Sequence, residues 1–103
     1  MSRYVVTVEF VVLPRHADAF RVAMIANARA SREREPGCRQ FDVCVTDDDP
    51  GRVFLYEIYD DRAAFDAHLA SAHFKAFDAT VAPWLETKKV RTYALADPVP
   101  TAS

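Results

Sequence analysis

A carboxylate and two histidines stand in the segment EIYDDRAAFDAHLASAHF, residues 57–74. His68 shares a predicted helical face with Phe65 and Leu69, so it points where the apolar residues point. An imidazole titrates near neutral pH and can take a proton from a hydroxyl or a carbon acid. A core histidine bonded to backbone would give the same pattern, and the spacing alone does not separate the two roles.

Glu57 lies within an apolar, strand-like run and alternates with Leu55 and Tyr59 on one face. A buried carboxylate is unfavourable unless a partner satisfies it. We expect either a structural hydrogen bond to a neighbouring element or a bond that orients His68 and raises its basicity.

Asn27 falls on the inward stripe of a predicted helix, three residues after Met24 and seven after Phe20. Asparagine is a poor helix former, so its place among alanines needs a reason. Its amide can bond a nearby carbonyl, or it can donate to a developing oxyanion on a substrate.

The histidine spacing does not predict a metal site. His68 and His73 are five residues apart, which on a continuous helix separates them by about 140°. They lack the i, i+4 pairing of a zinc-binding helix, and no cysteine is near. We interpret His73 as starting a further helix, and His16 and the charged run RASRERE (29–35) as solvated.

Composition narrows the class of protein. The chain has 103 residues, half of them hydrophobic, and a formal net charge of -2. That is one domain, with no electrostatic reason to bind nucleic acid or an anionic membrane. No apolar run reaches the length of a membrane span, and the N-terminus lacks a signal-peptide pattern. We predict a cytoplasmic protein whose two cysteines, Cys38 and Cys44, are reduced because one strand would hold them about 20 Å apart.

Hydrophobic periodicity and turn residues predict seven elements in one domain, residues 1–96, followed by a loose tail, 97–103. Strands are predicted at 4–13, 38–46, 53–59 and 88–96, and helices at 16–35, 62–71 and 73–85, with Asp60 or Asp61 capping the second helix. The order β-α-β-β-α(α)-β predicts an α+β ferredoxin-like plait, an antiparallel four-stranded sheet with helices on one face.

Two strands, 4–13 and 53–59, are largely apolar on both faces although helices can cover only one face of such a sheet. Scattered surface valines would explain this pattern. The pattern favours instead a homodimer in which a second copy packs on the open face of the sheet.

The chain resembles the antibiotic biosynthesis monooxygenase family of small dimeric α+β barrel proteins, which includes quinol monooxygenases and an isomerase that processes phosphorylated autoinducer-2. The residues that carry the resemblance are NARASREREPGCRQFDV (27–43), FLYEIYDD (54–61) and AAFDAHLASAHFKAF (63–77). The resemblance extends over about residues 4–94 and implies a dimer with a pocket between the helices and the sheet of each protomer.

By this resemblance the family's polar positions fall on Asn27, Glu57, His68 and His73. The implied roles are His68 as base, Glu57 as the residue that orients it, and Asn27 as the group that stabilises the anion. His73 and the apolar side chains Phe41, Phe65, Phe77 and Trp84 would surround the substrate and exclude water. Haem-degrading members use a different set, and the late position of Trp84 and the lack of an asparagine in strand 1 disfavour haem cleavage here.

The resemblance implies a cofactor-independent monooxygenase that oxidises a small aromatic quinol or phenol with O2. No glycine-rich nucleotide or flavin motif is present, so no cofactor is expected. Two alternatives stay open. One is an isomerase that moves a proton through an enediol, with Arg39, Lys75 or Arg91 binding a phosphate. The other is a non-catalytic dimeric small-molecule-binding domain.

Overall fold

A computed structural model describes residues 2–99. The strands are β1 (Tyr4–Val12), β2 (Cys38–Val45), β3 (Arg52–Tyr59) and β4 (Leu85–Ala94), and the helices are α1 (Ala17–Arg34), α2 (Arg62–Ala70) and α3 (Ala72–Val81). Single 3₁₀ turns at Pro14–His16 and Ala82–Trp84 precede α1 and β4. The predicted tail at 97–103 is described only to Val99, and residues 100–103 lie outside the described part.

The four strands form one antiparallel sheet in the order β2-β3-β1-β4. The predicted α+β ferredoxin-like plait is therefore confirmed. The third helix was predicted to reach residue 85, but it ends at Val81. Pro83 falls in the 3₁₀ turn that follows, because proline lacks the N–H that would continue an α-helix. Strand β4 consequently starts at Leu85, three residues earlier than predicted.

The core lies between the helices and one face of the sheet. Alternate residues of β1, namely Val6, Val8, Phe10 and Val12, point into it. They meet the buried stripe of α1, which includes Phe20 and Met24, and the Phe77 and Val81 side chains of α3. The helices leave β4 uncovered, and nearly all of its residues are exposed.

Two capped helix starts fix the chain between β3 and α3. The Asp61 carboxylate accepts a hydrogen bond from the Ala64 N–H at 2.8 Å and begins α2. Asp60, the other predicted cap, pairs instead with Arg39. Ser71 ends α2 with an extended ψ of 149° and begins α3 by accepting a hydrogen bond from the Phe74 N–H. One residue therefore breaks what would otherwise be a single long helix.

None of the helices between residues 2 and 99 is both long and apolar enough to cross a membrane.

Gly37 permits a close approach between the start of β2 and helix α2. A methyl group on Gly37 would lie 2.5 Å from the Ala64 Cβ, far inside van der Waals contact. The Gly37 carbonyl also accepts a hydrogen bond from the Asp60 N–H, which joins the two segments. The distance between α2 and the sheet, and hence the position of His68, depends on this contact.

We expect Gly37→Ala to lower the free energy of unfolding by about 1–3 kcal/mol, because the added methyl group overpacks this contact. Urea unfolding of the variant measures the loss. The double variant with Ala64→Gly removes the opposing methyl group and should recover part of the stability. A single variant as stable as the wild type would contradict the steric argument.

Candidate functional site

A cavity of about 40 Å³ lies between the helices and the sheet. Its wall is almost wholly apolar, and the polar side chains that reach it are Asn27, Glu57, His68 and Lys88. Leu69 and Val90, at the outer end of the cavity towards α2 and β4, are exposed to solvent. An apolar chamber with a few convergent polar groups is the usual form of a small-molecule site.

His68 is almost completely enclosed, with 2% of its surface exposed. It lies near the end of α2 among the rings of Phe41, Tyr59, Phe65 and Phe74, whose centroids are 4.9–6.2 Å from its own. Rings on several sides limit the rotation of the imidazole, so its orientation is set by packing as well as by hydrogen bonds.

The carboxylate that meets His68 is Glu35, not Glu57. Nδ1 of His68 donates to Oε2 of Glu35 at 2.9 Å. Nε2 of His73 donates to the same oxygen at 2.5 Å. Oγ of Ser31, which donates to the Asn27 carbonyl, lies 3.4 Å from both of these nitrogens.

The prediction that RASRERE is a solvated helix end is therefore wrong for Ser31 and Glu35. Ser31 is fully buried, and the Glu35 side chain is 12% exposed. Glu35 is the C-cap residue of α1, with an extended backbone that directs the chain towards β2. The sequence signal that could have found it is its position directly before Pro36-Gly37, where a helix must end.

The angular argument that separated His68 from His73 assumed one continuous helix. The extended residue Ser71 breaks that helix, so His73 starts a new one with a different axis. The two imidazole centroids are 6.1 Å apart as a result. The two histidines thus converge on Glu35, contrary to the spacing prediction.

Glu57 does reach the cavity, but its hydrogen-bond partner is Tyr59. The Tyr59 hydroxyl donates to Oε1 of Glu57 at 2.5 Å, and Glu57 is 2% exposed. Burial raises the pKa of Glu57 to about 7, although the bond from Tyr59 acts in the opposite direction. The expectation that Glu57 orients His68 is not supported by these contacts.

Asn27 lies where the helical stripe predicted it, buried on α1 and facing the cavity. Its Oδ1 has no hydrogen-bond partner among residues 2–99. A buried amide oxygen without a partner is unfavourable. This oxygen can therefore accept a hydrogen bond from a hydroxyl group that enters the cavity.

Three of the four predicted aromatic walls line the cavity, namely Phe41, Phe65 and Phe77. Trp84 does not. It lies in the turn before β4 and stacks on His16, with centroids 5.3 Å apart. His16 is consequently half-buried. His73 lines a shallow groove outside the cavity.

The protonation state of His68 follows from its contacts. Burial lowers the pKa of His68, and the bond to Glu35 only partly opposes that effect. The ring is therefore neutral near pH 7, with its one proton on Nδ1, because the Glu35 carboxylate can only accept. Nε2 keeps its lone pair and has no protein partner within the described residues. Glu35 and Ser31 do not line the cavity, so the edge of the ring that carries Nε2 is the part left to face it.

The neighbouring thiol does not contribute a nucleophile. Burial raises the pKa of Cys38 to about 12, and the negative charge of Glu35 adds to this effect. Cys38 therefore stays protonated near neutral pH.

The sequence model of the family described as antibiotic biosynthesis monooxygenase matches residues 3–80. The chain belongs to this family. It is similar to a solved structure from Nitrosomonas europaea, provisionally assigned as an antibiotic biosynthesis monooxygenase, with 36% identity, a TM-score of 0.90, and coverage of 96% of this chain and 95% of that one.

Other solved structures to which the chain is similar carry less specific descriptions. Rv0793 from Mycobacterium tuberculosis is 31% identical, with a TM-score of 0.83 and coverage of 99% of this chain and 100% of that one. Protein SO0527 from Shewanella oneidensis is 28% identical, with a TM-score of 0.83 and 91% coverage of each chain. Comparison with curated proteins yields no match.

We expect Glu57→Gln to remove a pH dependence of stability. The native carboxyl keeps its proton up to about pH 7, whereas the unfolded chain loses it near 4.5. The native state thus binds more protons between these values, and the free energy of unfolding falls as the pH rises through this window, by up to about 3 kcal/mol.

Urea unfolding across this pH range measures the effect. The Gln variant keeps an acceptor for Tyr59 and should lose this part of the slope, while Glu86→Gln, an exposed carboxylate on β4, should leave the slope unchanged. Parallel slopes in the wild type and the Glu57 variant would contradict the prediction.

Proposed function

We propose that the protein is a cofactor-independent monooxygenase that oxidises a small aromatic quinol or phenol with O2. The observation that carries the proposal is that His68 lines an apolar cavity while its Nδ1 is held by Glu35, which leaves Nε2 as the ring nitrogen available to a substrate. A base oriented by a carboxylate in this way can take a proton from a substrate hydroxyl. Membership of the family supports the same class of reaction.

The substrate supplies all the electrons in this reaction. His68 removes a phenolic proton, and the electron-rich phenolate passes one electron to O2. The two radicals combine to form a C–O bond and, after protonation, a hydroperoxide at a ring carbon. Loss of the proton on that carbon and cleavage of the O–O bond leave a carbonyl group and water. For a hydroquinone the balance is hydroquinone plus O2 giving hydroxyquinone plus water.

The other polar groups of the cavity act on the substrate oxygens. The Asn27 amide binds one oxygen, with Oδ1 accepting from a hydroxyl and the amide N–H₂ available to donate to an anion. Glu57 contacts the cavity beside Tyr59 and can bond a second hydroxyl group. Glu35 takes the positioning role that the sequence predicted for Glu57, and the rings of Phe41, Phe65 and Phe77 exclude water.

The cavity volume of about 40 Å³ has room for O2 or a few waters. An aromatic substrate requires the walls to move outwards. The solvent-exposed wall residues Leu69 and Val90, together with Lys88, mark the side on which the cavity can open.

A homodimer is part of this proposal. Support comes from the face of the sheet that the helices do not cover, which carries Val5, Phe54, Ile58 and Tyr93. Phe54 and Tyr93 are 39% and 48% exposed. A second copy packed on this face would bury them and also cover the exposed strand β4.

A cytoplasmic location is also part of the proposal, and the free thiols Cys38 and Cys44 are consistent with it.

An enediol isomerase is the second candidate, and Lys88 is the observation that favours it. The three cations considered from the sequence do not line the cavity, since Arg39 pairs with Asp60, Lys75 is exposed and Arg91 lies on the open face of the sheet. Lys88 does line it. Its Nζ lies 5.7 Å from the Phe74 ring centroid and donates to Oδ1 of Asp78 at 3.4 Å. It could bind a phosphate at the outer end of the cavity.

Oxygen uptake with hydroquinones and naphthoquinols tests the first candidate. We expect the metal-free protein to exceed autoxidation and His68→Gln to lower that rate by about 10²-fold or more, because a positioned base is lost. Glu35→Gln should lower it less. His16→Gln, a histidine outside the cavity, is the matched control. Uptake equal to the blank would reject the monooxygenase, and proton exchange on a phosphorylated hydroxyketone that needs Lys88 would then favour the isomerase.

We expect Phe54→Glu to dissociate the dimer, because it replaces an exposed apolar side chain of the uncovered face with a second negative charge next to Glu9. Sedimentation velocity measures the mass. Val22→Glu, on the exposed outer face of α1, adds the same charge elsewhere and should leave the dimer intact. A monomeric wild type, or a Phe54 variant that stays dimeric, would exclude this interface.

A further inference from the structure

Two imidazoles and one carboxylate converge at the junction of α1, α2 and α3. The ligand atoms of Glu35, His68 and His73 all lie within 4.8 Å of one another. We propose that these three residues bind one divalent transition-metal ion, such as Zn²⁺. This site lies beside the cavity. Glu35 and His73 do not line the cavity, and His68 is the residue that the two sites share.

The spacing of the ligand atoms suits such an ion. Donors about 2.0–2.2 Å from a metal are separated from each other by roughly 3 Å. Oε2 of Glu35 is 2.9 Å from Nδ1 of His68 and 2.5 Å from Nε2 of His73. The Glu35 and His73 side chains, 12% and 13% exposed, are not fully buried and can rotate to admit the ion.

The types of donor select the class of metal. Two imidazole nitrogens and one carboxylate oxygen suit Zn²⁺ and its first-row neighbours, whereas Mg²⁺ and Ca²⁺ prefer oxygen ligands throughout. Three protein ligands leave a fourth position for water. Oγ of Ser31, 3.4 Å from both imidazole nitrogens, is placed to bond such a water.

A second observation, on the other oxygen of Glu35, supports a bound cation. Oε1 of Glu35 is buried and has no hydrogen-bond partner among residues 2–99. A carboxylate in this position loses hydration at one oxygen without compensation. A metal ion bound by Glu35 would offset that loss, through either one or both oxygens.

Metal binding would change the protonation of the His68 nitrogen that faces the cavity. This consequence rests on the proposed function. Without metal, the ring proton lies on Nδ1 and Nε2 is an acceptor. An ion on Nδ1 displaces that proton, and a neutral ring then carries its proton on Nε2. The residue becomes a donor towards the cavity and can no longer act as a base.

Calorimetric titration of the chelator-treated protein with Zn²⁺ tests the site without any activity assay. We expect one ion per chain, and we expect His73→Gln and Glu35→Gln each to weaken binding roughly tenfold or more. His16→Gln is the matched control and should bind as the wild type does. His73 is on the surface side of the cluster, so its variant avoids disturbing the buried His68 ring.

Nitrogen NMR of the protein with labelled histidine reports directly which ring nitrogen of His68 carries the proton. We expect the His68 proton on Nδ1 in the metal-free protein and on Nε2 in the Zn²⁺ complex. Absence of Zn²⁺ binding, binding unchanged in the His73 and Glu35 variants, or a His68 tautomer that Zn²⁺ does not alter would each overturn the proposal. These readouts stand whether or not the protein consumes O2, so failure of the oxidation assay is a separate result.

Discussion

The junction of α1, α2 and α3 depends on one carboxylate oxygen that accepts two hydrogen bonds. Oε2 of Glu35 joins the last turn of α1 to the end of α2 and the start of α3. Without it, Nδ1 of the fully enclosed His68 would lose its acceptor, which is costly in a site closed to water. The same contact decides which nitrogen of His68 carries the proton, and thereby what the ring can do in the cavity. Glu35 therefore both connects the three helices and fixes the position of the His68 proton.

Glu57, unlike Glu35, lines the cavity itself and is stabilised differently. Glu57 lies on β3 among apolar side chains and is held by the Tyr59 hydroxyl alone. Its raised pKa shows that this bond does not compensate fully for burial. Together with the unpaired Oδ1 of Asn27, it makes the cavity less stable than an apolar core of the same shape would be. Groups that weaken the fold and face one small chamber are typical of a binding or catalytic site.

The helices cover the sheet unevenly, so the two ends of the cavity differ in exposure to solvent. Helices cover β1, β2 and β3 on one side, whereas β4 remains exposed. The cavity is consequently closed towards α1 and bounded on the side of β4 by exposed side chains such as Val90. The edge strand β4 thus connects the fold with entry to the cavity.

Local patterns in the sequence were sufficient for the elements and their order, because strand alternation, helical spacing and turn residues act over a few residues. They also identified Asn27, Glu57 and His68 as buried polar residues, since a polar side chain on an apolar stripe can be recognised from the sequence alone. The hydrogen-bond partners of these residues could not be recognised in this way. The sequence predicts Glu35 as a solvated charge of RASRERE, and the spacing predicts His73 on a different helical face from His68. The break at Ser71 and the end of α1 bring these three residues together. Only the tertiary structure decided these contacts, because they depend on the relative orientation of separate helices, which no local period contains.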